Sequence, residues 1–103
     1  MKYTDVFGVT YDLSFKTAEY FNGTTCLQAI CEDGEPYARV SVNLNESVLC
    51  DKREFYADVN NCGELVDAMI AEGYLEDMGD VARSGFCTYP LVRMTDKFVE
   101  EQL

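Results

Sequence analysis

The chain has 103 residues, of which 48% are hydrophobic, with seven Tyr, six Phe and a net charge of −11 at pH 7. So many apolar and aromatic side chains describe one globular domain, 1–103, that buries roughly 60 to 70% of its unfolded surface without a metal or disulfide. The charge exceeds the magnitude of about 2 to 8 usual for a small domain, and it excludes direct binding to nucleic acid or an anionic membrane, both of which select Lys and Arg.

In chain order, Val9, Tyr11, Leu13 and Phe15 alternate with Thr10, Asp12, Ser14 and Lys16, the period of a strand with one buried face. Asn22-Gly23 then reads as a tight hairpin turn, leading into an apolar segment from Thr25 to Cys31. Asp33-Gly34 is a second turn, and it leads into Ala38, Val40, Val42 and Leu44 alternating with polar residues. These segments predict a three-stranded antiparallel meander. Residues 45 to 52 read as a loop, followed by a short fourth strand through Phe55, Ala57 and Val59.

The period then changes. Cys62, Leu65, Val66, Met69 and Ile70 share one stripe of a helix expected from about Cys62 to Glu72. Asn61 and Glu64 have the spacing of a capping box, and Gly73 suits the position after the C-terminus. Beyond it Gly79 and Gly85 punctuate an expected loop, and residues 85 to 94 form a further strand. Pro90, which cannot donate to a ladder, places that strand at an edge or a bulge. The tail from Thr95 either forms a short helix or frays. An amphipathic helix and a sheet with one apolar face bury each other, so the expected fold is two-layer α+β: an antiparallel sheet of four to five strands, meander first, with one helix on one face.

Chemistry is excluded more readily than assigned. Without histidine the chain lacks the commonest general base and metal ligand. The five cysteines form no C-x-x-C, so they read as reduced thiols; Cys26, Cys31, Cys62 and Cys87 fall where small buried hydrophobes belong. A nucleophile at Cys50 or Cys87 would lack a histidine partner. No phosphate-binding glycine motif and no calcium-loop spacing occur, so neither a cofactor nor a metal is expected. The start, MKYTDVFGVTYD, lacks a signal-peptide core, and no run approaches the ~18 apolar residues of a membrane span, so a cytoplasmic protein is expected.

What remains is the placement of charge. No Lys or Arg lies between Arg53 and Arg83, whereas Glu64, Asp67 and Glu72 fall on the polar side of the predicted helix and Glu76, Asp77 and Asp80 follow it. Acids at a helix C-terminus oppose the macrodipole, so they are not there for helix stability. Glu64 and Glu72 lie ~12 Å apart at 1.5 Å per residue, a charge density well below that of duplex DNA. Imitation of a phosphate backbone would therefore need the following segment as well. These six residues are the candidate partner-binding surface, suited to a basic protein surface such as that of a nucleic-acid-binding protein or complex.

The order of acidic helix, glycine-containing loop and RSGFCTYPL (Arg83 to Leu91) resembles a family of small acidic proteins encoded on mobile elements and phages of gut bacteria. The resemblance covers the C-terminal half and the hairpins, and its specific part is SGFCTYP, which read structurally puts Gly85 in a turn with Phe86 and Tyr89 packed. It carries no catalytic residues and implies no enzyme. Its context implies an inhibitor of host defence, of anti-CRISPR or anti-restriction type, acting in the bacterial host cytoplasm. The alternative is an accessory or assembly protein of a mobile element that binds a protein partner, a second copy included, through an apolar sheet face.

Overall fold

The computed structural model describes residues 1–44 and 51–103, and in it both turn dipeptides close antiparallel hairpins. Strands β3 (Ser14–Glu19), β4 (Thr25–Ile30) and β5 (Pro36–Arg39) form the expected meander, with Gly23 and Gly34 at φ of 83° and 88°, which a residue without a Cβ adopts freely.

The rest of the sheet structure departs from one continuous layer. Among the described residues, strands β1 (Lys2–Thr4) and β2 (Thr10–Asp12) pair only with each other. A third sheet has the order β6 (Ser41–Val42), β7 (Glu54–Ala57), β9 (Cys87–Met94), β8 (Leu75–Ser84). The fold is thus α+β, but among the described residues it has sheets of two, three and four strands and two helices instead of one sheet and one helix.

Two apolar residues explain the division. The alternating run from Val9 to Phe15 is broken at buried Leu13, where the chain leaves β1 and joins β4; the Leu13 amide and carbonyl both bond to Met1. At Val40 the amide donates to Leu27 while the carbonyl accepts from Asp58, so the chain passes from the meander to the third sheet there. Side-chain alternation survives such a crossing although the hydrogen-bond partner changes, because burial and pairing are separate constraints.

Helix α1 (Val59–Ala71) starts three residues earlier than expected and takes Val59 out of the fourth strand. The expected capping box does not form: the residue before the helix is Asp58, whose carboxylate accepts from Asn61 Nδ2 at 2.9 Å, and Cys62 interrupts the helix with φ −137° and ψ 39°. Leu65, Val66 and Met69 are buried as predicted. Gly73, at φ 78°, follows the helix with its amide on Ile70 and the Tyr74 amide on Met69, the paired bonds of a glycine-terminated helix.

The segment expected as a loop, 75–84, is strand β8. Its sequence, with three acids and a glycine, has no strand periodicity of its own; pairing with β9 recruits it, with the ladder broken between Asp77 and Val81 where Gly79 takes φ 86°. Strand β9 lies between β7 and β8, but β7 reaches only Leu91, so among the described residues Pro90 has a strand on one side alone. The outer part of the β8–β9 hairpin therefore runs past the sheet, and Phe86 at its tip is fully exposed, not packed. The tail forms α2 (Asp96–Gln102), which places Phe98 in the core against Phe15 and Tyr74 at centroid distances of 5.1 and 5.7 Å. No helix among the described residues is long and apolar enough to cross a membrane.

Candidate functional site

The six predicted acids are all exposed, and none belongs to an ion pair among the described residues; the pairs that form engage Asp12, Glu19, Asp51 and Asp96. The fold divides them into two groups. Glu64, Asp67 and Glu72 are on α1, whereas Glu76, Asp77 and Asp80 are on β8 and its bulge, not in a loop continuing the helix. Glu76 is in register with Arg93 and Asp77 with buried Val92, so these two neighbours point to opposite faces of the strand. Two nearby cations are engaged elsewhere: Arg93 pairs with Asp51 at 2.9 Å, and Lys97 Nζ donates to the Glu72 carbonyl at 2.6 Å from above the Tyr74 ring.

On α1, two turns bring Glu64, Ala68 and Glu72 onto the side that faces the β1–β2 hairpin, where they line one groove with Lys2. A neighbouring groove of about 690 Å³ lies between that hairpin and the start of α1. Glu64 and Asp67 line it from the helix, Asp5 and Phe7 from the hairpin loop, and Tyr3 and Tyr37 from the strands. Sequence reasoning missed the hairpin's share of this site. Val9 and Tyr11 were legible as one strand, but three-residue β1 is too short to show a period.

The loop of that hairpin is held by one carboxylate. Asp5 Oδ1 accepts from the amides of Phe7 and Val9, both at 2.9 Å, and Oδ2 lies 3.5 Å from the Tyr11 hydroxyl. Below the loop Tyr37 packs on Tyr3 and Tyr11 with centroids 6.0 and 4.7 Å away. Burial, reinforced by Tyr3, Tyr11 and Asp5, pushes the Tyr37 phenol up to about 12, so it is neutral at physiological pH.

Cys26, Cys31, Cys62 and Cys87 are free, and Cys50 lies outside the described residues. Burial and then the charge of Asp58 push the Cys62 thiol up to about 11, the reverse of activation. Among the described residues no three His, Cys, Asp or Glu side chains converge to hold a metal ion, Glu76, Asp77 and Asp80 included.

These features define a small α+β domain with exposed, unpaired carboxylates on a helix and an edge strand, and a groove between hairpin and helix. Residues 14–101 match the model of the family DUF4313, described as a domain of unknown function, and the chain belongs to that family. No curated protein and no solved structure matches it.

Proposed function

We propose that the protein is a non-enzymatic binding module whose acidic surface docks on a basic protein groove of the kind that otherwise holds nucleic acid, as an inhibitor of a bacterial defence complex would. The observation that carries this reading is that Glu64, Asp67, Glu72, Glu76, Asp77 and Asp80 are exposed with no cation paired to any of them among the described residues. Like charges left without cations on a domain of net charge −11 weaken the fold by self-repulsion, and they steer a cationic partner at long range. The mobile-element context comes from the resemblance of the SGFCTYP segment alone.

The test is capture from a bacterial lysate at low salt with stepped salt elution and competition by duplex DNA. Nucleic-acid-binding proteins released by salt and displaced by DNA are the expected result. Capture that ignores salt, and that survives charge reversal in Glu72→Lys, Glu76→Lys and Asp77→Lys combined, overturns the reading.

A second reading, attachment of a protein partner by apolar contact, is favoured by the row Val42, Tyr56 and Leu91. These residues are in register on the outer face of the third sheet, half-buried and outside the core cluster. Exposed Phe86 and Val81 extend apolar surface along the projecting hairpin. Binding of this kind would barely respond to ionic strength.

A further inference from the structure

The groove between the β1–β2 loop and the start of α1 combines two features that ordinarily avoid each other: an aromatic side chain open to water, Phe7, and uncompensated carboxylates. Phe7 is 87% exposed and Val6 70% exposed on its rim, while Tyr3 and Tyr37 line it below. Among the described residues that line it there is no Lys or Arg, and Glu64 and Asp67 stand one helical turn apart with neither side chain in an ion pair.

We infer that this groove receives an arginine side chain of a partner protein, an inference that rests on the acidic-module reading above. A bare metal ion is a poor match, since the carboxylates do not converge on one point. A guanidinium suits such spacing because its five donors form a planar fork wide enough to bridge Glu64 and Asp67. Its weakly hydrated face also stacks on aromatic rings, and its alkyl stem covers apolar surface such as Val6. Lysine offers a compact, strongly hydrated charge and uses the rings less. The site is prepared in advance: the two amide bonds to Asp5 Oδ1 hold the Phe7 loop, and Gly8 turns it at φ 81°. Little conformational entropy is then lost when an arginine enters.

Titration of the isotope-labelled full chain at low ionic strength with hexa-arginine, and separately with hexalysine, tests this by amide chemical shifts. Shifts centred on residues 5–8 and 60–67 are expected, with hexa-arginine bound about threefold to tenfold more tightly than hexalysine. Phe7→Ala, which leaves the net charge unchanged and removes no core contact, should abolish that preference; Glu64→Gln with Asp67→Asn should weaken hexa-arginine about tenfold or more. Equal affinity for the two peptides, or a preference that survives Phe7→Ala, overturns the assignment. Shifts confined to Glu76, Asp77 and Asp80 overturn it while leaving the acidic module intact. No binding of either peptide overturns both.

Discussion

Thr95 Oγ1 donates a 2.7 Å hydrogen bond to the carbonyl of Gly73 and accepts one of 3.2 Å from the amide of Phe98, so a single hydroxyl joins the end of α1 to the start of α2. A helix N-cap contributes about 0.5–2 kcal/mol, and here the same group also serves a carbonyl past the preceding helix. Thr95→Ala is expected to cost about 1–2 kcal/mol in urea denaturation, with Thr95→Ser recovering most of it. Equal losses for both variants would place the effect in the methyl group instead.

Phe98 is the reason the tail is ordered. It is fully buried and meets Phe15 and Tyr74 edge to face, so α2 closes the core from the far end of the chain. Phe98→Ala should cost about 3–5 kcal/mol, a large part of the roughly 5–15 kcal/mol that stabilises a domain. Calorimetry showing a loss below about 1 kcal/mol would mean that the helix frays in solution.

Acid stability is set where β7 begins. The Arg53 guanidinium hydrogen-bonds Asp96 and holds its carboxyl below the usual value of 3.8; Asp51 is lowered by the Arg53 amide first and then by Arg93. A depressed folded-state pKa means that the folded chain binds the proton less readily than the unfolded one. The stabilisation is therefore present above the ordinary carboxylate value and lost as pH falls below it. Asp96→Asn and Asp51→Asn should each flatten the acid limb of stability against pH. An unchanged slope in both would show that these exposed pairs contribute nothing measurable.

Alkali acts through half-buried acids. Cys62 keeps its proton to about 11 when folded, whereas a thiol in the unfolded chain loses it near 9. Stability should fall as pH rises through that window, and Tyr37, pushed up to about 12 from 10.0, adds to the loss above pH 10. Cys62→Ala isolates the thiol: it should remove the decline that begins near pH 9 and leave the later one. At pH 8, iodoacetamide should label Cys62 far more slowly in the folded chain than in urea; equal rates would contradict its burial.

Phe86 occupies the tip of a hairpin that runs beyond β7, and it touches no core residue. Phe86→Asp should change stability by less than about 0.5 kcal/mol. Salt-insensitive partner capture lost in this variant would favour apolar attachment over the acidic surface, and salt-sensitive capture left intact would favour the reverse.

Much of the architecture was legible where one local rule sufficed. The two Xaa-Gly turns, the meander, the α1 stripe and the glycine after it follow from backbone freedom and side-chain period, which act over a few residues. Strand β8 was not legible, because a segment with three carboxylates and a glycine becomes a strand only beside β9. The capping box failed for a related reason. The helix starts at Val59 instead of after Asn61, and the Cys62 amide already makes an intrahelical bond of 2.9 Å to the Asp58 carbonyl, which leaves Asn61 inside the first turn.

The candidate site divides in the same way. That acids would gather between Arg53 and Arg83, unrelieved by cations, is written in the order of residues and needs no coordinates. Their separation into a helical and a strand group, and the meeting of Glu64 and Asp67 with Asp5, Phe7 and Tyr37, were decided by tertiary structure. Period and turn chemistry specify which way a side chain faces along its own element, but Leu13 and Val40 determine which element comes to lie opposite. That choice depends on burying one shared core, to which residues from Tyr3 to Phe98 contribute together.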